Sequence, residues 1–263
     1  MWNFFKTRSE YKIFGRQGGI SSTMTIPAGF DPERDHCPIV ILMHGFMAKK
    51  ELYPLPAIAD ALAKEGIASL RFDFDAHGKS EGAFVDMTIS SEMEDAEAVV
   101  EYVHSLPFVD SVALLGHSQG GVIAGMLAGQ LESTPLRPDC VVLMAPAAVL
   151  KDDALSGRCM NAKYNPENPP EYVNVFFHKL GREFILEAQK LPIFETSSKY
   201  SGPVCIIHGK KDKIVPVAYS AKYKDGYRDC ELYLPEDEGH MLNSNKREVI
   251  ATAVSFLKSK LRK

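Results

Sequence analysis

Val112-Ala113-Leu114-Leu115-Gly116-His117-Ser118-Gln119-Gly120-Gly121-Val122-Ile123-Ala124-Gly125-Met126-Leu127-Ala128 decides the reading of this chain. Four apolar residues run into Gly-x-Ser-x-Gly, and a helix of small and apolar residues follows. The order strand, sharp turn, helix is the setting in which Gly-x-Ser-x-Gly holds a strained serine with its hydroxyl out of the sheet. Glycines at 116 and 120 suit a turn where the strand and helix backbones pass too close for a side chain. Ser118 is therefore the candidate nucleophile.

A serine hydroxyl needs a base, and the base needs an orienting acid. After this kind of turn the partners follow in the order acid, then histidine. Pro203-Val204-Cys205-Ile206-Ile207-His208-Gly209 reads as a buried strand that enters a loop, and the loop carries Asp212. Glu231-Leu232-Tyr233-Leu234 reads as a short strand, and the loop after it ends in Gly239-His240. Asp212 and His240 are thus the candidate acid and base. Among the eight histidines, His208 reads as a loop-positioning residue, and His117 points away from Ser118. His44 and His77 read as turn hydrogen-bonders. Glu236, Asp237 and Glu238 lie too close to His240 in sequence to form a separate acid loop and read as a solvated acidic stretch.

Ile39-Val40-Ile41-Leu42-Met43 is continuously apolar, as a parallel strand covered on both faces must be. It ends in His44-Gly45-Phe46-Met47. That turn suits one oxyanion donor and the residue after the serine suits the other, which assigns the backbone amides of Phe46 and Gln119.

Outward from these motifs the pattern alternates. A hairpin is expected over residues 10–26, helices over 54–64, 89–103 and 249–261, and strands over 67–72 and 140–144. Alternating strands and helices imply one α/β unit spanning 1–263, a mostly parallel sheet with helices on both faces. The stretch from 147 to 195 exceeds a simple crossover; it holds Tyr164, Phe176, Phe184 and Phe194, and a short helix at 183–190. It is expected to be an inserted lid over Ser118, shaping an apolar pocket.

Composition bounds the rest. The chain has 263 residues, 45% hydrophobic and 24% charged, with a net charge of −4. Without a basic cluster, nucleic acid is not an expected partner. No apolar run reaches about 18 residues, so no membrane partner is expected. Met1-Trp2-Asn3-Phe4-Phe5-Lys6 does not read as a signal peptide. The five cysteines sit mostly in or beside apolar strands and read as reduced residues of a cytoplasmic protein. No His/Cys grouping has zinc spacing, so neither metal nor cofactor is expected. Self-association into a homodimer is left open.

Taken together, His44-Gly45-Phe46, Arg71-Phe72-Asp73-Phe74-Asp75-Ala76-His77-Gly78-Lys79-Ser80, Gly116-His117-Ser118-Gln119-Gly120-Gly121, Leu143-Met144-Ala145-Pro146-Ala147-Ala148 and Ile207-His208-Gly209-Lys210-Lys211-Asp212 resemble bacterial cinnamoyl (feruloyl) esterases of the α/β-hydrolase fold. The likeness extends into the insertion, at Asp153-Ala154-Leu155 and Tyr164-Asn165-Pro166. It implies Ser118, Asp212 and His240 as a triad with Phe46 and Gln119 as amide donors, acting on a small-molecule ester of a hydroxycinnamic acid. It implies Asp153, with Tyr164 and Phe184, as substrate contacts in the insertion. Phe184 stands where relatives carry tyrosine, which weakens recognition of a 4-hydroxylated ring. Three alternatives keep the same residues: a broad carboxylesterase, a monoacylglycerol lipase or a thioesterase. A non-catalytic ligand binder of this fold would usually lack one of the three triad residues.

Overall fold

The computed structural model describes residues 8–261; the opening Met1–Lys6 segment, and the reading of it as no leader, lies outside them. The expected alternation forms an eight-stranded sheet. In spatial order its strands are β1 (Arg8–Gly15), β2 (Gly18–Thr25), β4 (Ala68–Phe72), β3 (Cys37–Met43), β5 (Val109–His117), β6 (Cys140–Met144), β11 (Val204–Ile207) and β12 (Cys230–Tyr233). β1 and β2 form the expected hairpin, β2 meets β4 antiparallel, and every pairing from β4 to β12 is parallel.

The continuous apolar runs follow from this burial. Ile39, Ile41 and Met43 face one side of β3 and Val40 and Leu42 the other, and all five are fully buried. α1 (Leu55–Lys64) and α8 (Lys246–Leu261) cover one face through Ile58, Leu62, Val249 and Leu257. α2 (Ile89–His104), α3 (Gln119–Leu131) and α7 (Ala218–Gly226) cover the other through Val99, Val103, Leu127 and Tyr223. α2 begins in a reciprocal cap: Ser91 N–H donates to Thr88 Oγ1 at 3.1 Å and Thr88 N–H to Ser91 Oγ at 2.9 Å. Such caps satisfy donors that a helix start leaves without intrahelical partners.

Between β6 and β11 the insertion holds more structure than its one expected helix. It contains α4 (Val149–Leu155), a two-residue ladder of β7 (Arg158–Cys159) with β8 (Ala162–Lys163), a hairpin of β9 (Tyr172–Val175) with β10 (His178–Gly181), α5 (Arg182–Lys190) and α6 (Ile193–Ser197). Its apolar residues Val175, Leu180, Phe184 and Ile185 join the same core as α2 and α3 rather than forming one of their own. The Ser90 amide donates to Glu187 Oε2 at 2.9 Å, tying α5 to the start of α2.

Candidate active site

Ser118 sits between β5 and α3 with φ 58° and ψ −121°, a backbone conformation that costs on the order of 1–3 kcal/mol and persists only where its surroundings enforce it. The flanking glycines are required sterically. A Cβ on Gly116 would lie 1.9 Å from the Gly120 carbonyl oxygen, and one on Gly120 would lie 2.3 Å from that of His44. The Ser118 amide donates to the Met144 carbonyl at 2.8 Å, fastening the turn to β6.

Strand ends bring the other two residues to it. His240 Nε2 lies 2.9 Å from Ser118 Oγ, and His240 Nδ1 lies 2.7 Å from Asp212 Oδ2. Burial alone would raise the Asp212 carboxyl. Hydrogen bonds from His208, His240 and the Val215 amide outweigh it and hold the carboxyl well below its usual range. Asp212 Oδ1 takes the Ile214 and Val215 amides at 2.8 and 2.9 Å. His208 Nε2 faces Asp212 Oδ2 and the Val215 carbonyl, both at 3.0 Å, so it carries the proton and donates. His208 thus positions the acid loop, as its place before Gly209 suggested.

His117 makes no hydrogen bond to Ser118 among those of the described residues, but it has a task. Its Nε2–H donates to the His240 carbonyl at 2.9 Å. Burial, then the nearby His240, pushes His117 down to about 4, which keeps the ring neutral. Glu238 departs from the solvated stretch expected for residues 236–238. Glu236 and Asp237 are exposed and pair with Lys210 and Lys211, whereas Glu238 is buried and accepts the amides of Ser244 and Asn245 just before α8. Loose amides ahead of a helix require an acceptor, and nothing in the local acidic run reveals that Glu238 supplies it.

The turn after β3 is held by two neutral histidines. His44 Nε2 accepts the Phe74 amide at 3.0 Å, so the His44 proton sits on Nδ1 and donates to the Gly45 carbonyl at 2.8 Å. The Ala48 amide donates to that same carbonyl at 3.0 Å. In a planar trans peptide the N–H points opposite the C=O, so anchoring the Gly45 carbonyl turns the Phe46 N–H the other way. His77 Nε2 accepts the Met47 amide at 3.2 Å while its Nδ1–H donates to the Asp75 carbonyl at 2.8 Å. Burial, then the charge of the neighbouring ring, pushes His44 down to about 3, and burial lowers His77. Gly45 must be glycine, since a Cβ there would meet Ser118 Cβ at 2.8 Å. Gln119 opens α3, where the first amides have no partner within the helix, and its side chain donates to the buried Glu92 at 2.7 Å.

Two clefts meet at Ser118. One, of about 210 Å³, is lined by Lys49, Leu52, Tyr53, Ile214 and Met241. The other, of about 80 Å³, runs beneath the insertion and is lined by Leu150, Asp153, Tyr164 and Phe184 together with Phe46 and Gln119. Asp153 Oδ1 is held by Arg158 at 2.8 Å, the Tyr164 hydroxyl donates to the Arg158 carbonyl at 3.1 Å, and the Phe184 ring lies 5.7 Å from that of Phe46. All eight residues named from the sequence as site candidates therefore lie around one point. No group of three or more His, Cys, Asp or Glu suited to a metal occurs among the described residues.

The Hydrolase_4 family, described as Serine aminopeptidase, S33, matches residues 34–165. The chain belongs to that family. Among solved structures, Est1E from Butyrivibrio proteoclasticus with ferulic acid bound superposes with a TM-score of 0.90 at 28% identity, covering 96% of this chain and all of that one. The resemblance to bacterial cinnamoyl esterases agrees with this likeness. A monoacylglycerol lipase of Mycolicibacterium smegmatis is 26% identical over 254 residues, covering 87% of this chain and 88% of its own. Protein ABHD12B of Homo sapiens is 25% identical over 232 residues, 85% of this chain but 61% of that protein, so the chain spans about three fifths of it. This Hydrolase_4 member has the α/β-hydrolase fold.

Proposed function

We propose that this chain is a serine carboxylesterase that hydrolyses hydroxycinnamoyl esters through an acyl-enzyme, with residues 147–195 serving as a lid over the acyl group. The observation that carries the reading is the unbroken relay from Ser118 Oγ through His240 to Asp212, at the mouth of an apolar cleft rimmed by Asp153, Tyr164 and Phe184. Ser118 Oγ attacks the ester carbonyl carbon while His240 Nε2 takes its proton. The oxyanion rests on the Phe46 and Gln119 amides. Each such donor is typically worth about 10²–10³ in kcat. As the tetrahedral intermediate collapses, the C–O bond to the alcohol breaks and His240 returns the proton to it. Water then attacks the acyl carbonyl carbon while His240 takes its proton, the C–Oγ bond breaks to release the acid, and His240 returns the proton to Ser118 Oγ. Asp212 keeps the His240 proton on Nδ1 and stabilises the imidazolium.

The 28% identity with Est1E, solved with ferulic acid, supports the aromatic acyl group. A second reading, hydrolysis of a monoacylglycerol or another aliphatic ester, draws on the similarity to the Mycolicibacterium lipase and the apolar lining of the 210 Å³ cleft. Comparing kcat/KM on methyl ferulate, methyl caffeate, a short p-nitrophenyl ester and a monoacylglycerol separates the two. Methyl ferulate and caffeate should lead. A monoacylglycerol preferred by tenfold would install the second reading, and fluorophosphonate failing to label Ser118 would remove both.

A further inference from the structure

Nine large apolar side chains are exposed among the described residues, and six of them gather at two places. Leu52, Met160, Ile214 and Met241 rim the 210 Å³ cleft beside Ser118. Phe176 and Phe177 form the tip of the hairpin of β9 and β10, with exposures of 52% and 101%, and neither lines the two clefts at Ser118. The Phe176 amide donates to Asn161 Oδ1 at 2.9 Å, so the tip sits beside the turn between β7 and β8 that also carries Met160. Scattered exposed apolar residues need no explanation, but a contiguous patch at a cleft mouth marks an interaction surface.

The charges around the patch favour one occupant. Lys49 lines the cleft, Lys163 ends β8, Lys179 lies on β10 and Lys213 precedes Ile214. All four are exposed, and none forms an ion pair with a described carboxylate. The Lys179 ammonium lies 4.3 Å above the Tyr172 ring. Glu171, Glu183 and Glu187 line a separate polar cleft at the base of the hairpin, away from its tip. A two-fold contact of this face with a second copy would gather both copies' unpaired lysines into one interface, because the same face is used twice. A fully exposed aromatic tip flanked by cations fits an anionic lipid surface, where rings enter the interface and lysines meet headgroups.

We propose that this face docks the enzyme onto anionic lipid, bringing the clefts at Ser118 to lipid-dissolved esters. The sequence led to no membrane partner because no segment could span one. Peripheral docking needs no span, and no described helix is long and apolar enough to cross a membrane. The inference rests on the proposed esterase reading only in its choice of ester.

The test is cosedimentation of the full chain with vesicles of phosphatidylcholine, with or without phosphatidylglycerol. Binding is expected with phosphatidylglycerol, and salt should weaken it. The double variant Phe176→Ser/Phe177→Ser should cut partitioning about tenfold or more and slow hydrolysis of a vesicle-dissolved ferulate ester. Its kcat/KM on methyl ferulate in solution should stay unchanged, which also reports intact folding. Lys163→Glu/Lys179→Glu should weaken binding in the same way. A native chain left in the supernatant overturns the proposal, as does a Phe double variant that binds equally well. A dimer seen by sedimentation velocity and abolished by that variant, without vesicle binding, assigns the face to a second copy instead. Vesicle binding without turnover of methyl ferulate would break the esterase reading and leave the docking intact.

Discussion

Two groups of buried carboxyls lie on either side of the strand that carries Ser118, and the protein shifts their protonation in opposite directions. Asp212, after β11, receives N–H donors from His208, His240, Ile214 and Val215 and is kept ionised. Asp75, Asp95 and Glu92, beyond β3, have few donors. Asp75 Oδ1 and Asp95 Oδ1 have no hydrogen-bond partner among the described residues. Burial, before any other influence, pushes Asp75 up to about 6 and Asp95 to about 7, and raises Glu92 well above its ordinary value. Burial acts upward on all four, so the difference lies in the N–H groups aimed at the Asp212 oxygens and in the repulsion of Glu92 and Asp95 by the neighbouring carboxyl of Asp75. Negative charge is thereby favoured on the side where His240 needs a partner and disfavoured behind Gln119.

The most direct way to break this comparison is to remove the charge that the donors were built for. Asp212→Asn should leave the fold intact by circular dichroism and lower kcat by about 10⁴. The amide can present the wrong hydrogen-bonding face to His240 Nδ1 and cannot stabilise an imidazolium. A loss of less than tenfold on methyl ferulate would mean that the donor-rich pocket has no catalytic purpose.

The opposite group should reveal itself in stability. In the unfolded chain these carboxyls ionise near pH 4, while in the folded protein Asp75 and Asp95 keep their protons to about 6 and about 7. The folded state binds more protons across that window, so this contribution is complete below about pH 4 and is lost as pH rises through 6 and 7. Raising Asp75 from 3.8 to about 6 corresponds to a cost on the order of 3 kcal/mol at neutral pH. Asp95→Asn, which imitates the neutral acid, should therefore raise Tm near pH 8 and change it little near pH 4. Melting curves for the variant that run parallel to those of the native chain at every pH would rule out a raised Asp95.

Much of this architecture is written in local sequence, and the exceptions share a cause. Ser118, Asp212 and His240 could be named because each follows an apolar strand run, and the chemistry requires those residue types at strand ends in that order. The sheet could be read because strands buried on both faces lose their alternation, as Ile39 to Met43 do. Glu92 and Asp95 could not. They lie on a helix whose apolar face is marked by Ile89, Met93 and Ala96, and their burial comes from β1 and α3 closing over them. Glu238 was hidden for the same reason, its partners being amides at the start of α8. The insertion yielded α5 but not its two hairpins, since ladders as short as Arg158–Cys159 with Ala162–Lys163 leave no periodicity to detect.

The neutral side of the comparison also supports the oxyanion turn through His77, and here the expected effect is smaller. His77→Ala frees the Met47 amide and loosens the turn that carries Phe46. If roughly half of one donor's contribution is lost, kcat should fall about tenfold to thirtyfold, with KM on methyl ferulate nearly unchanged. His77→Gln returns an acceptor close to the position of Nε2 and should recover most of the rate. Equal losses in both variants, matched by equal losses of Tm, would reduce His77 to a packing residue.

Asp153 stands between the two extremes and gives the finest test. It is neither saturated with donors nor starved of them: Arg158 holds Oδ1 at 2.8 Å, and the side chain keeps 29% of its exposure at the cleft beneath the insertion. A carboxylate anchored through one oxygen on a residue that lines the cleft suits a ring hydroxyl of a bound acyl group. Asp153→Ala should raise KM for caffeate and ferulate esters about threefold to tenfold, the value of one lost hydrogen bond, and barely affect a short aliphatic ester. Phe184→Tyr should act in the opposite sense. Its ring lines the same cleft and leans on Phe46, so an added hydroxyl would either reach the acyl ring or be buried without a partner. The first outcome improves hydroxylated over unsubstituted cinnamates; the second lowers Tm with no change in selectivity. Identical changes on aromatic and aliphatic esters in both variants would show that this carboxylate serves only to hold Arg158, and the preference for a cinnamoyl group would then have to arise from cleft shape alone.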